Sequence, residues 1–94
     1  MRIKVIYLGV TRYKAGKGEE EYELPEGASV KDLLTEVSKH HTLLKDLISS
    51  VSDNPIDPPL IVALNGSAIN PTNVSHTALK DGDTLALMTV IGGG

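Results

Sequence analysis

The last four residues, Ile91-Gly92-Gly93-Gly94, follow a hydrophobic stretch and are the part of the chain best suited to covalent chemistry. Glycine lacks a Cβ, so such a segment can be drawn extended into a channel too narrow for any side chain. The reactive group is then the carboxylate of Gly94. With a pKa near ~3.5 it is ionised at neutral pH and can attack the α-phosphate of ATP, giving an acyl-adenylate that a sulfur donor or an amine displaces. Fully extended, the stretch from Val90 to Gly94 reaches about 16 Å at ~3.3 Å per residue, enough to enter a buried site while the domain stays outside. The competing reading is an end without chemistry, because the termini of most domains are poorly ordered.

Other constellations are weaker. The chain has no cysteine, which removes thiol nucleophiles and thiolate metal sites. His40 and His41 are adjacent, so a helix aims them about 100° apart and they do not share a metal; one suits the dipole at a helix C-terminus or is simply exposed. His76 is the only other histidine, and no metal site is expected. Gly16-Lys17-Gly18 resembles a phosphate loop only superficially, since a Walker sequence needs a glycine where Thr11 stands and a Ser or Thr where Gly18 stands. No nucleophile and base converge on an inferable cleft, so the chain is not expected to be an enzyme in its own right.

Composition narrows the partners. A net charge of −3, with no basic stripe and three tyrosines as the sole aromatics, argues against direct nucleic-acid binding. No apolar run approaches the ~20 residues of a membrane span and no signal peptide opens the chain, so no membrane role and a cytoplasmic location are expected.

The elements that position the C-terminal segment follow from periodicity. Met1 to Val10 alternates as a strand, Gly9 to Gly18 reads as a hairpin connection, and Glu19 to Leu24 resumes a strand with Tyr22 and Leu24 inward and the glutamates solvated. After the turn Pro25-Glu26-Gly27, Ser29 is placed as an N-cap answered by Asp32. Val30, Leu33, Leu34 and Val37 then mark the apolar stripe of a helix. Leu43, Leu44, Leu47 and Ile48 continue it in a second, shorter helical stretch, and Ser49 to Pro59 reads as a loop. Leu60 to Leu64 is a strand that meets the hairpin signal Asn65-Gly66, with Ser67-Ala68-Ile69 returning beside it. Asn70 to His76 is turn material, and Thr84 to Ile91 is the final strand.

This order predicts one α+β domain over residues 1–94, a β-grasp (ubiquitin-like) fold with a mixed sheet packed on one main helix. Residues 91–94 form its extended, flexible C-terminal tail. The last strand is expected beside the first, parallel to it and central. If Ile3, Val5, Val62, Leu64, Leu85 and Leu87 face the helix, then Ile6, Ile61, Ala63, Met88 and Val90 form an apolar patch on the open sheet face. Open faces of such sheets usually turn polar to water, so an apolar one points to a partner. A slip of one residue in register would exchange the two sets.

Taken together the residues resemble the ubiquitin-like sulfur carriers: the MoaD small subunit of molybdopterin synthase, ThiS, the ubiquitin-related modifiers and the small archaeal modifiers. The resemblance spans nearly the whole chain. It rests on Ile3-Lys4-Val5, on Gly16-Lys17, on the run from Tyr22 to Leu34, on Val62-Ala63-Leu64-Asn65-Gly66, on the run from Leu79 to Leu87, and on Gly93-Gly94. Two features depart from MoaD. Leu87-Met88 and Thr89-Val90 replace an aromatic pair followed by Pro-Pro, and Gly92 precedes the diglycine.

The resemblance implies a partner similar to the ubiquitin-activating enzymes, which binds the sheet face, draws Ile91, Gly92, Gly93 and Gly94 beside ATP and Mg²⁺, and adenylates Gly94. Sulfur transfer then leaves a thiocarboxylate for an acceptor, with the large subunit of molybdopterin synthase as the first expectation and tRNA thiolation as another destination. The chain would be a cosubstrate activated in trans that binds no cofactor itself. A protein modifier joined through Gly94 to lysines of target proteins, and a binding module without tail chemistry, are the rival readings.

Overall fold

A computed structural model of the chain describes residues 1–53 and 60–89. Strand β1 (Arg2–Tyr7) alternates buried Ile3, Val5 and Tyr7 with more exposed Arg2, Lys4 and Ile6. Helix α1 (Val10–Ala15) follows, then strand β2 (Glu19–Glu23), which pairs antiparallel with β1. Helix α2 (Val30–His40) begins at a capping box. The Ser29 hydroxyl accepts from the Asp32 N–H at 3.2 Å, and the Asp32 carboxylate accepts from the Ser29 N–H at 2.8 Å, satisfying two donors that helix geometry leaves open. Its stripe of Val30, Leu33, Leu34 and Val37 is buried. A 3-10 turn at Thr42–Leu44 leads into α3 (Lys45–Asp53).

Strand β3 (Leu60–Leu64) turns at Asn65-Gly66 into the two-residue β4 (Ser67–Ala68), and after a 3-10 turn at Pro71–Asn73 the chain enters β5 (Thr84–Thr89). Asn65 takes a φ of 50°, the left-handed conformation a tight hairpin requires, and its side-chain oxygen accepts from the Thr84 N–H at 2.9 Å. The turn is thereby tied to the start of β5.

The strand order is β2-β1-β5-β3-β4. β5 lies between β1 and β3, parallel to the first and antiparallel to the second. One face of this mixed sheet carries Ile3, Val5, Val62, Leu85 and Leu87 against the α2 stripe, with Leu44 and Val51 closing the layer; Leu64 packs on its margin. This is the expected β-grasp arrangement, and the register has not slipped.

Three expectations need correction. The segment from Gly9 to Gly18 is not a plain hairpin connection: it contains α1. Gly9, at φ 62°, swings the chain out of β1, and buried Thr11 holds the short helix down by donating to the Leu87 carbonyl at 2.6 Å. A six-residue helix fixed by such a tertiary bond leaves little periodicity to read. The expected loop from Ser49 is helical through Asp53, and residues 54–59 lie outside the described residues. Leu43, placed on the apolar stripe, is 65% exposed, because the 3-10 turn rotates it away from buried Leu44.

Candidate functional site

The outer face of the sheet is built by strand register. Ile6 stands beside Ala86 across the β1–β5 pair, Ala86 beside Ala63 across β5–β3, and Met88 beside Ile61 one step further along. Residues opposite one another in register project to the same side, so these five side chains form one apolar strip on the face away from α2. Ala63 has little exposure, yet it stands outside the buried core cluster. Its partners Ala86 and Ala68 are equally small, which keeps this part of the face flat. The expected patch of Ile6, Ile61, Ala63 and Met88 is therefore brought together. Val90 lies outside the described residues, as do Ile91, Gly92, Gly93 and Gly94.

Beside the strip the same face becomes charged. Lys4 pairs with Glu19 at 3.5 Å, and Arg2 with Glu23 at 3.5 Å and Glu21 at 4.0 Å. These exposed pairs contribute little stability, but they give the edge strand a row of charge that discourages strand addition and borders the apolar strip.

The strip runs toward the end of β5, where the C-terminal segment departs. On the β1 side, the last bonds to β5 converge on one carbonyl: Leu87 accepts from the Leu8 N–H at 3.0 Å and from the Thr11 hydroxyl at 2.6 Å. Past that point only β3 accompanies β5, with Ile61 opposite Met88 and Leu60 opposite Thr89. Thr89 is thus held in a defined place at the end of β5, on the core face opposite Leu60.

The strongest perturbation of an acid falls on the opposite face. Glu20, expected to be solvated, has a side chain only 18% exposed. Its Oε1 accepts from the Tyr7 hydroxyl at 2.5 Å and the Tyr22 hydroxyl at 2.8 Å, and lies 2.5 Å from His41 Nε2. Lys17 approaches the other oxygen at 3.3 Å. Burial alone would push this carboxyl up; the hydrogen bonds from Tyr7, Tyr22 and His41 outweigh it and hold the pKa down at about 2. Burial, reinforced by the bond to Glu20, pushes both tyrosine hydroxyls well above their ordinary value. Every polar atom of this cluster is satisfied and none faces the apolar strip, so the cluster is a clasp between β2, β1 and the end of α2. Strand alternation carries the missed signal, since Glu20 shares its face with Tyr22. His40, exposed in the last turn of α2, is the histidine that fits the expected place at the helix C-terminus, whereas His41 is drawn into the clasp. His40 stacks edge-on against Tyr22.

Among the described residues no group of His, Asp and Glu is arranged to hold a metal ion, and no helix is long and apolar enough to cross a membrane.

A mixed β-grasp sheet with an apolar open face, in a chain whose sequence ends in three glycines, defines a class of ubiquitin-like carriers. Residues 5–94 match the model of the ThiS family. The chain is 33% identical over 94 residues to a molybdopterin synthase sulfur carrier subunit of Chlamydomonas reinhardtii, covering 100% of both. Among solved structures, it is similar to a putative molybdopterin converting factor subunit 1 of Pyrococcus furiosus, with 33% identity, a TM-score of 0.77, and 95% of this chain and 97% of that chain covered. A complex of subunits 1 and 2 of the molybdopterin-converting factor of Helicobacter pylori shows the same fold at 21% identity and a TM-score of 0.64, with 100% of both chains covered. The chain belongs to the ThiS family of ubiquitin-like sulfur carriers.

Proposed function

We propose that this chain is the sulfur-carrying small subunit of a molybdopterin synthase, activated at Gly94 by a separate adenylating enzyme. The observation that carries the reading is the end-to-end match to a relative that bears that role. The apolar strip of Ile6, Ile61, Ala63, Ala86 and Met88, set beside the end of β5, supports it as the surface by which partners hold the domain. In the proposed sequence the Gly94 carboxylate oxygen attacks the α-phosphate of ATP, and pyrophosphate, complexed with Mg²⁺ in the partner, departs. A hydrosulfide equivalent from a sulfur donor then adds to the acyl carbon and AMP leaves, so that one carboxylate oxygen has been replaced by sulfur. The thiocarboxylate passes its sulfur to a pterin precursor on the large subunit, and water restores the carboxylate.

This chain's own contribution is placement. A flat apolar face gives the partner a surface to exclude water from, and the segment from Val90 to Gly94 supplies reach without side-chain bulk. The reaction is expected in the cytoplasm, where ATP is available.

The test is the intact mass of the protein isolated from its own cells, with fragmentation of the C-terminal peptide. Replacement of one oxygen by sulfur at Gly94 supports the carrier reading. Isopeptide remnants on lysines of other proteins would put a modifier in its place, and a Gly94-deleted chain that is still activated by ATP would remove the chemistry from this residue.

A further inference from the structure

The sheet ends on one side at β2, whose outer edge has no strand beside it among the described residues. The direction of its main chain follows from two bonds to β1: the Tyr7 N–H donates to the Gly18 carbonyl at 2.8 Å, and the Leu24 N–H donates to the Met1 carbonyl at 2.8 Å. By alternation Glu20 and Tyr22 also turn their N–H and C=O groups toward β1, and Glu19, Glu21 and Glu23 turn theirs outward. Among the described residues none of these outward main-chain groups has a hydrogen-bond partner. One side of a ladder is therefore present without the other.

The same edge holds the charge of the chain. The side chains of Glu19, Glu21 and Glu23 are 61%, 57% and 70% exposed. Glu26, Asp32 and Glu36 line the open groove between the end of β2 and α2, with buried Leu24 and Ala28 among them. The cations beside these six carboxylates are Arg2 and Lys4, at 3.5 Å from Glu23 and Glu19, and Lys39, at 3.1 Å from Glu36. Six acids against three cations leave −3, the net charge of the entire chain. The remainder is neutral, so the negative field is concentrated on this one side of the molecule.

We propose that the outer edge of β2 receives an extended basic segment of another protein, which adds to the sheet as a further strand with Lys or Arg at every second position. Its main chain completes the ladder left open at Glu19, Glu21 and Glu23. Its cations stand opposite those glutamates, on the side away from α2, and its intervening residues face the groove beside α2. Charge chooses this occupant. A row of glutamates discourages an apolar or acidic strand, and a second copy of the chain paired edge to edge would set glutamate against glutamate. The exposed pairs to Arg2 and Lys4 are weak, so a partner's cations displace them at little cost. This edge shares no residue with the apolar strip, and the inference does not depend on the chemistry proposed for Gly94.

The experiment titrates the full chain with a capped heptapeptide of alternating lysine and valine, with its glutamate–valine counterpart, and with a copy of the first that is N-methylated on its lysines and so cannot donate to the edge. Affinity is followed by calorimetry, and the contact by amide chemical shifts and hydrogen exchange. The lysine peptide is expected to slow exchange of the Glu19, Glu21 and Glu23 amides. It should also bind about tenfold or more tighter than either control, as fits the loss of a few main-chain hydrogen bonds or of the opposing charges. Glu21→Lys is expected to weaken that binding about threefold or more with the thermal unfolding curve unmoved, and Ile61→Asp to leave it unchanged. Equal affinity for the N-methylated peptide would reduce the effect to attraction without strand pairing and overturn the proposal. So would equal affinity for the glutamate peptide, shifts centred on Ile61 and Met88, or no binding of the lysine peptide.

Discussion

Ile61 and Met88 face each other across the antiparallel β3–β5 pair on the side of the sheet away from α2. Neither supports the core, whose β3 and β5 members are Leu60, Val62, Leu85 and Leu87. Ile61→Asp should therefore leave the unfolding free energy within about 0.5 kcal/mol of wild type, as for substitutions away from buried features. The same change places a charge at the centre of the face that the proposed partner would desolvate. Affinity for that proposed partner, the large subunit of molybdopterin synthase, should fall at least about tenfold, or ~1.4 kcal/mol. Calorimetric titration checks the second expectation and chemical denaturation the first; a parallel loss of both would mean that the face is structural.

The clasp on Glu20 predicts an acid limb in stability. The folded carboxyl sits at about 2 against an ordinary 4.5. A depressed acid contributes stability that is complete above its unfolded pKa and is lost as pH falls through the folded value. The window is therefore from pH 4.5 down to about 2. Glu20→Gln keeps the shape and loses the charge, so at pH 7 it should cost about 1.5–3 kcal/mol, the range for hydrogen bonds to a charged group. Its deficit should shrink across that window and vanish near its lower end. Denaturant melts at a series of pH values check this, and a deficit that stays constant with pH would show that it does not come from the charge of the carboxylate.

Much of this architecture was legible because local signals agreed with one another. Val30, Leu33, Leu34 and Val37 recur at helical spacing behind a capped serine, and Asn65-Gly66 fixes a hairpin whose strand then has only one way to put Val62 inward. Those constraints also fixed which residues form the outer strip, since β1, β3 and β5 share one alternation. What escaped was held by tertiary bonds. Helix α1 exists because Thr11 reaches Leu87, a residue 76 positions away, and no local pattern encodes that contact. Glu20 reads like the solvated glutamates around it because a run of charge is a stronger local signal than the alternation that places it on the face of Tyr22. The prolines beyond Ser49 signal a loop, whereas α3 runs on to Asp53.

The capping box makes a prediction about the scaffold that holds the sheet in shape. Ser29 is at once the N-cap of α2 and the partner of Ala78 in an isolated β-bridge, so one residue fixes where the helix starts and where the chain before β5 crosses it. Ser29→Ala should cost about 1 kcal/mol, the usual loss for a serine cap. Ser29→Asp should recover most of it, since aspartate caps equally well and adds a charge favourable at a helix N-terminus. Equal stabilities for all three chains would show that the helix start is set by the packing of Val30 and Leu33 rather than by its cap.

Binding and chemistry should separate between the sheet face and the C-terminal segment. Replacing Gly93 by valine adds a branched side chain where the proposed reaction needs bare backbone, while Ile6, Ile61 and Met88 remain in place. The domain should dock as before, so KM in ATP–pyrophosphate exchange should change by less than about threefold. The loss should fall on kcat, by a factor of about 100 or more, equivalent to roughly 2.7 kcal/mol of stabilisation available only when the carboxylate reaches ATP. Ile61→Asp should show the reverse signature, a raised KM with kcat retained at saturation. If Gly93→Val raised KM and spared kcat, the segment would be acting as part of the docking surface, and the distinction between a holding face and a reacting end would fail.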